Sequence, residues 1–485
     1  MVCMCAINWN LYELYFVRIG DIIEKKTKRV FMKTINSNRK MLAVILALAW
    51  PTMLEQLMHT AVQYVDMAMV GSLGTQATAA VGATTTVNWL VGSTVSALGV
   101  GFLAQIAQAL GAGEQQKAKR LAAQTMLVTL CAGLLFTVLT VCISGVLPRW
   151  MQVDLPVRKL ASRYFLILYL PMLPRAAITL FSTVLRAAGD TKTPMKVGML
   201  TNLINVTLNF LLIFPTRTLW GVRVPGADLG VVGAALASAI SFVVGSIYIT
   251  IVLWRHPVIS PRHQPMRPDR QLLSPCMKIS LPNMLQRFAT SSGYVAYASM
   301  VNSIGSVATA AHSVANTVES LFYIPGYGMQ AAAATLAGNA CGAKDRARLK
   351  RTANMFVPLV IGLMTVCAGA LFVSARVLMQ LFSDNPQVID LGTTVLRMVA
   401  FSEPFYGVPI IIEGMMHGVG KTKKPFIYNT AGMWGIRIVG TFICTQWLDM
   451  GLVSAWACMI AHNMLLFVLY MRAWRRGDIE ETGEF

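Results

Sequence analysis

The sequence predicts an all-α polytopic membrane protein with twelve transmembrane helices arranged as two pseudo-symmetric six-helix bundles. Three observations lead to this fold class. The composition is 55% hydrophobic and only 13% charged, which is typical of a membrane protein and not of a soluble domain. Apolar runs long enough to cross a bilayer recur along the chain between glycines, prolines and charged loops. The second half of the chain also repeats the first half.

The repeat is visible without gaps at an offset of 231 residues, where residues 51–74 align with 282–305. Shorter matches continue the alignment at the same offset: ATAA at 77–80 and 308–311, and GDTKTP at 189–194 with GKTKKP at 420–425. A further match, DLG at 228–230 with DMG at 449–451, follows a deletion of ten residues from the second half. Six spans in each copy is an even number, so both copies enter the membrane in the same direction. We therefore expect a substrate cleft between the two copies.

Apolar periodicity and its boundaries give the spans in order: 41–70, 76–108, 118–146, 158–185, 193–215, 229–254, 273–302, 307–338, 350–374, 388–416, 425–446 and 450–471. Several exceed 25 residues and contain prolines, so we expect tilts and kinks. The domain prediction follows: a tail (1–40), the amino-terminal lobe (41–254), a linker (255–272), the carboxy-terminal lobe (273–472) and a second tail (473–485).

The net charge of +20 is concentrated in loops on one predicted side of the membrane. This pattern follows the positive-inside rule and places both termini in the cytoplasm, with the protein as a multi-pass component of the plasma (inner) membrane. The basic loops show no aromatic interleaving, so the lipid bilayer is an expected partner and nucleic acid is not. The nine cysteines form no CxxC pair, and no His/Cys/Asp cluster has metal-site spacing.

The first span carries a polar stripe of four residues: Glu55, His59, Gln63 and Asp66. At about 100° per residue these positions fall within roughly a quarter-turn of one another. A carboxylate inside the hydrocarbon costs at least ~2.5 kcal/mol, so such a residue normally faces protein or water and marks an ion or substrate path. Asp66 lies deepest and is the main candidate, whereas Glu55 can instead reach the cytoplasmic surface. The repeat does not copy the acid, because Asp66 aligns with Tyr297.

Polar residues in three further spans are candidates for an ion or substrate site. The fifth span holds Asn202, Asn205 and Asn209, and the last two share a face. Their amides either bind a cation or carboxylate or only join helices. Candidates for a substrate or second site lie in the seventh and tenth spans: Arg287, Glu403, Tyr406 and Glu413. Buried carboxyl groups there are suited to take up and release protons, and Arg287 is a possible partner for one of them.

Several classes of function are disfavoured by what the sequence lacks. It has no Walker motif or phosphate-binding loop, so ATP-driven transport is not expected, and an ion gradient or the membrane potential must supply the free energy. No nucleophile–base set is legible, which argues against an intramembrane enzyme. A passive channel fits poorly with the two-lobe duplication. No cofactor is expected beyond H⁺ or Na⁺ as the coupling ion.

The chain resembles the multidrug and toxic-compound extrusion (MATE) transporters. The motifs that carry the resemblance are spread from about residue 41 to 472: PTML at 51–54, VDMAMVG at 65–71, RAAGDTKTP at 186–194, NVTLNFLLIF at 205–214 and GVVGAA at 230–235. The resemblance implies two six-helix lobes and antiport of Na⁺ or H⁺ against organic, often cationic, small molecules. The rival within transport is a lipid-linked saccharide flippase of the same superfamily, which would use arginines in the cleft. We expect a monomer.

The resemblance also assigns residues to the ion-coupling site. Asp66 matches the family's aspartate in the first span, Asn205 matches its asparagine in the fifth, and Ser238 resembles the hydroxyl position of the sixth. Asn209 stands where many members have aspartate. The chain is thus similar to the branch whose ion site lies in the amino-terminal lobe, with possible Na⁺ binding at Asp66, Asn205 and Asn209 and a further contribution from His59.

Overall fold

The computed structural model of the protein describes residues 38–151, 155–219 and 222–480. Its amino-terminal half consists of α1 (Asn38–Gly71), α2 (Thr75–Gly111), α3 (Gln115–Ile143), α4 (Leu147–Trp150), α5 (Leu155–Tyr169), α6 (Met172–Ala187), α7 (Lys192–Leu212), β1 (Pro215–Leu219), β2 (Val222–Ala227) and α8 (Gly230–Trp254). Most of the predicted tails, residues 1–37 and 481–485, lie outside the described residues.

The carboxy-terminal half repeats this order without the hairpin. It consists of α9 (Arg270–Ile304), α10 (Ser306–Gly342), α11 (Arg346–Phe382), α12 (Pro386–Ala400), α13 (Glu403–Gly418), α14 (Lys423–Ala431), the π-helix π1 (Gly432–Ile438), α15 (Val439–Phe442), the π-helix π2 (Ile443–Trp447) and α16 (Leu452–Arg475). These elements cover the twelve predicted spans. Within the described residues, seven helices are long and apolar enough to cross a membrane individually, and nine segments qualify when two bent pairs are joined.

The two bent pairs lie at equivalent places in the repeat, in the fourth and tenth spans. The helices bend by 48° between α5 and α6 and by 57° between α12 and α13. Pro171 and Pro404 stand at these breaks, where a missing amide hydrogen and a fixed φ prevent a continuous α-helix. The predicted spans 158–185 and 388–416 are therefore each two helices. The α9, α10 and α14-to-π2 segments complete the twelve.

Two local features were not predicted. The eleventh span, predicted as a regular helix over 425–446, contains two π-helical segments. The predicted loop 216–228 forms an antiparallel hairpin in which Pro215 pairs with Ala227 and Leu219 pairs with Val222. The hairpin explains the ten additional residues of the first half, since the second half has no strand in the described residues.

The two lobes pack through the first two helices of each. Thr52 Oγ1 on α1 donates to the Gly328 carbonyl on α10 at 2.6 Å. Ser280 Oγ on α9 donates to the Leu98 carbonyl on α2 at 2.8 Å. The first helix of one lobe thus packs against the second helix of the other, as a pseudo-two-fold repeat requires.

The linker packs against the amino-terminal lobe through hydrogen bonds to α3. Gln124 Nε2 on α3 donates to the Arg267 carbonyl at 2.7 Å, and the Asp269 amide donates back to Gln124 Oε1 at 3.1 Å. Asp269 also caps α9, which begins at Arg270, by accepting from the Gln271 amide at 2.9 Å. The linker therefore ends at residue 269, three residues earlier than the predicted 255–272.

Candidate functional site

A group of polar side chains from α1, α7 and α8 lies together in the amino-terminal lobe. Asn209 Nδ2 donates to Asp66 Oδ1 at 2.5 Å. The Asn205 amide also lies against this carboxylate. In the orientation that satisfies its neighbours, its nitrogen donates to Asp66 Oδ1 at 2.8 Å and its oxygen accepts from Ser238 Oγ at 3.0 Å. Asn205 and Asn209 are buried, while Asp66 and Ser238 are half-buried. The sequence predicted these four residues as ion-coupling candidates, and the structure brings them together.

The helix geometry explains why these residues meet. Asn205 and Asn209 are one turn apart on α7 and therefore point to the same side. Asn202 is half-buried, and no hydrogen bond joins it to Asp66 within the described part of the chain. The Asn209 Oδ1 atom is buried without a hydrogen-bond partner. A half-buried carboxylate beside amide and hydroxyl oxygens has the chemistry of a site for a proton or a small hard cation.

The other members of the α1 stripe lie apart from this cluster. Glu55 Oε1 accepts from Arg186 Nη2 at 2.6 Å, and both side chains are largely buried. The alternative expectation that Glu55 extends to the membrane surface is therefore wrong. His59 and Gln63 are exposed, and the charges of Arg175 and Glu55 lie near His59. The stripe thus divides into an ion pair, two solvent-accessible residues and the Asp66 cluster.

The acids of the tenth span lie in the carboxy-terminal lobe and have different surroundings. Glu413 Oε1 accepts from Gln286 Nε2 at 2.6 Å and lies 3.7 Å from His417 Nε2. Glu403 is 1% exposed, and its Oε2 atom has no partner. No ion pair joins Arg287 to either acid in the described residues, so the expected pairing is not seen. The neutral neighbour Gln286 takes that place.

Tyr406 belongs to a cluster of tyrosines between α10 and α13. Its hydroxyl lies 2.9 Å from the Tyr327 hydroxyl. Its ring packs edge-on against Tyr323 with the ring centroids 6.3 Å apart. Tyr406 and Glu403 therefore lie close together on α13 in the carboxy-terminal lobe. Asp66 lies on α1 in the other lobe. The predicted candidates form two separate groups, one in each lobe.

Residues 51–211 and 282–443 match the model of the MatE family, one match in each half of the chain. The chain belongs to the MatE family. The two matched segments cover most of both lobes, which agrees with the duplication seen in the sequence. The predicted resemblance is thereby confirmed.

Relatives within the MatE family match the chain over nearly its full length. The probable multidrug resistance protein NorM of Thermotoga maritima is 26% identical over 439 residues, covering 90% of this chain and 93% of that protein. The probable multidrug resistance protein YoeA of Bacillus subtilis is 24% identical over 438 residues, covering 88% and 93%.

Solved structures of MATE transporters share the fold. A MOP superfamily transporter from Pyrococcus furiosus superimposes with a TM-score of 0.84 at 22% identity, covering 91% of this chain and 96% of the other. The Vibrio cholerae MATE transporter VcmN gives a TM-score of 0.83 at 20% identity, covering 91% and 99%. The prediction of an all-α membrane fold with twelve helices in two bundles is confirmed by these likenesses and the spans described above.

Sequence reasoning missed one charged residue inside this MatE fold. Glu319 on α10 is 6% exposed and lies near the buried Arg437 of π1. The signal was available, because an acid within the predicted span 307–338 is expensive in a bilayer and marks a candidate site. Arg437 likewise lies within a predicted span, 425–446, and was not a candidate for the ion or substrate site.

Proposed function

We propose that this MatE family member is a cation-coupled antiporter that exports organic, cationic or amphipathic small molecules by alternating access. H⁺ or Na⁺ is the coupling ion and binds at Asp66. The names of the relatives, which are probable multidrug resistance proteins, support the substrate class. The protein works as a monomer in the plasma membrane with both termini in the cytoplasm, as the basic loops favour.

The observation that carries the proposal is the set of partners around Asp66. Asn205 and Asn209 donate to its carboxylate, Ser238 bonds to Asn205, and none of the hydrogen-bond partners of Asp66 in the described residues is positively charged. A half-buried carboxylate is stabilised when a proton or cation joins it. Binding of the ion would change the hydrogen bonds among α1, α7 and α8. The ion would then have different affinities for two conformations of the lobe in which these helices pack differently.

The interlobe contacts supply the second part of the mechanism. Gln108 Nε2 donates to the Gly418 carbonyl at 2.9 Å, and Thr335 Oγ1 donates to the Arg186 carbonyl at 3.1 Å. These contacts close the lobes at the end where the basic loops lie. With that end in the cytoplasm, this closure is what we expect of an outward-facing state, and His59, about two helical turns from Asp66 towards the closed end of α1, is exposed.

Efflux from vesicles tests the proposal. The purified protein is reconstituted, a fluorescent organic cation is loaded, and pH and Na⁺ gradients are imposed separately. We expect one of the two gradients to drive efflux and the Asp66→Asn variant to abolish it while inserting normally. Asp390→Asn is the matched control, because Asp390 forms an exposed pair with Arg376 at 3.3 Å.

Two results would contradict the proposal: full gradient-driven efflux by Asp66→Asn, or efflux by the wild-type protein at a rate that neither gradient changes.

The lipid-linked saccharide flippase is not favoured by the relatives, which are named for multidrug resistance. An intramembrane enzyme is not favoured for the same reason. A flippase would instead reveal itself by moving a labelled lipid-linked sugar across the vesicle membrane without an ion gradient.

A further inference from the structure

The carboxy-terminal lobe contains a buried charged cluster that the proposed ion site does not use. Arg437 on π1 is 4% exposed, and its guanidinium carbon lies 4.9 Å from the ring centroid of Tyr294 and 4.3 Å from that of Tyr297. Glu319 on α10 is buried and close enough for its charge to act on Arg437. A buried guanidinium group is thus held against two aromatic rings, and a buried carboxylate lies near enough for its charge to act on it.

This cluster occupies a place equivalent to the Asp66 site. At the repeat offset of 231 residues, Asp66 corresponds to Tyr297, and Arg437 corresponds to Val206, which adjoins Asn205 on α7. Arg437 contacts Tyr297 just as Asn205 contacts Asp66. Both sites therefore draw on the first and fifth spans of their own lobe. The sixth span adds Ser238 at the Asp66 site, and the eighth span adds Glu319 near Arg437.

The two sites differ in the source of their positive charge. The hydrogen-bond partners of Asp66 are the neutral side chains Asn205 and Asn209, so its countercharge must come from solution. In the carboxy-terminal lobe a cation is covalently attached, because Arg437 remains protonated at any physiological pH. The π-helical segment Gly432–Ile438 carries this arginine at its sixth residue. A π-helix inside a span is a rare feature that frequently marks a functional position.

We propose that Arg437 is a tethered cation that fills, in the carboxy-terminal lobe, the place that an exchangeable cation fills in the amino-terminal lobe. The inference rests on the proposed function, since it takes Asp66 as the exchangeable site. It deepens that function by assigning ion exchange to one lobe and permanent charge compensation to the other. Glu319 is the carboxylate that Arg437 compensates.

Titratable and polar groups from every packed helix surround this pair: Tyr297 from α9, His312 and Tyr323 from α10, Glu403 and Tyr406 from α13, and His462 from α16. Both His462 nitrogens and Glu403 Oε2 are buried without a hydrogen-bond partner. Glu403 is a further buried carboxyl group, and its charged neighbour is Glu319. An uncompensated charge among these buried groups is expensive, which is why the permanent charge of Arg437 matters here.

Thermal unfolding of the purified full-length protein tests the tethered cation. Arg437→Ala removes the guanidinium and leaves Glu319 buried without its cation, so we expect the Tm to fall. Guanidinium chloride at low millimolar concentration should restore part of the loss, whereas choline chloride at the same ionic strength should not. The double variant Arg437→Ala/Glu319→Gln should recover without guanidinium, because the uncompensated carboxylate is gone. Arg376→Ala, which breaks an exposed pair, is the control and should not respond to guanidinium.

An unchanged Tm in Arg437→Ala would overturn the inference. So would a loss that neither guanidinium nor Glu319→Gln relieves, because Arg437 would then act only by packing against the tyrosine rings. If Arg437→Ala does not accumulate, the double variant decides, since its recovery supports the inference and its failure overturns it. None of these measurements uses transport, so the result is separate from the outcome of the Asp66→Asn efflux test.

Discussion

Gly342, the last residue of α10, packs so closely on α2 that a Cβ atom there would overlap the backbone carbonyl oxygen of Gln108. Gly111, its counterpart at the repeat offset, packs in the same way on the Asn339 carbonyl. The helix ends of the two lobes thus interlock as a symmetric pair in which each glycine meets the backbone of the other lobe. This contact is possible only because neither residue has a side chain.

We therefore predict that Gly342→Ala or Gly111→Ala opens the lobes at this end. Overpacking against backbone costs ~1–3 kcal/mol, which corresponds to a change of about fivefold to 150-fold in the equilibrium between closed and open states, so tenfold lies near the lower end of the range. The native Cys341, half-buried beside Gly342, is the reporter in a background without other cysteines. Its rate of labelling by a soluble maleimide should rise about tenfold in either variant.

The control for this measurement is Gly369→Ala, because an added Cβ at Gly369 meets no atom within 4 Å. Its Cys341 should be labelled at the wild-type rate. Unchanged labelling in both Gly111→Ala and Gly342→Ala would show that the lobes accommodate the methyl groups without separating. The interlock would then have no part in alternating access.

The ion pair between Glu55 and Arg186 should contribute measurably to stability. The two side chains are 17% and 20% exposed and join α1 to the end of α6 at 2.6 Å. Removing the carboxylate in Glu55→Ala leaves a mostly buried guanidinium without its partner, at a cost of about 1–3 kcal/mol. Thermal unfolding in detergent should show the loss as a lower Tm. Because the Arg186 carbonyl also accepts from Thr335, the effect should extend to the lobe interface.

Glu114→Ala is the matched control, since Glu114 and Lys117 form a pair that is about half exposed. Exposed pairs contribute about 0–1 kcal/mol, so this variant should melt close to the wild type. The double variant Glu55→Ala/Arg186→Ala completes a thermodynamic cycle. If its loss equals the sum of the single losses, the two side chains do not interact and the prediction is wrong.

The sequence predicted the fold and the Asp66 cluster because both depend on local periodicity and on the repeat. Spacing along one helix placed Asn205 and Asn209 on a common face, and the cost of a buried acid singled out Asp66. The partner of Glu55 could not be predicted, because Arg186 is 131 residues away along the chain and belongs to another helix. Pairings between helices depend on packing angles that periodicity does not contain.

The π-helical segments were also outside what periodicity could predict. A shift from 3.6 residues per turn changes the face on which each later residue lies, and the sequence carries no simple signal for it. Arg437 could therefore not be assigned to the lobe interior from spacing along a regular helix. Glu319 is a different case, since the rule that singled out Asp66 applied to it equally.

The linker should lose stability as the pH falls below about 6.5. His256 Nδ1 accepts from the Val258 and Ile259 amides at 3.2 and 3.3 Å, which requires the neutral ring. Burial lowers the pKa of His256, and the nearby Asp190 opposes this shift. Because the pKa is lower in the folded state than in the unfolded state, the folded protein binds fewer protons. The stabilisation is therefore complete above the unfolded pKa of about 6.5 and is lost as the pH falls towards the folded pKa.

This pH dependence is measured as the difference in Tm between the wild type and His256→Ala from pH 7.5 to pH 5. We expect the wild type to melt higher at pH 7.5 and the difference to shrink on acidification. The control is His263→Ala, which removes a histidine from an exposed position and should show no such trend. A difference in Tm that stays constant across this pH range would mean that the hydrogen bonds from the two backbone amides to Nδ1 do not stabilise the linker.

Replacing Asn209 separates the role of the amide cluster from that of the α7 backbone. Asn209→Ala removes the donor to Asp66 and the unpartnered Oδ1 oxygen, while the buried methyl group leaves the helix intact. Losing a hydrogen bond to a charged group costs ~1.5–3 kcal/mol, so we expect gradient-driven efflux to fall by about tenfold or more. Thr207→Ala is the control on the same helix, because Thr207 is exposed and bonds only to the Leu203 carbonyl of its own helix at 2.8 Å. Wild-type efflux by Asn209→Ala, or an equal loss in both variants, would show that the amide does not take part in coupling.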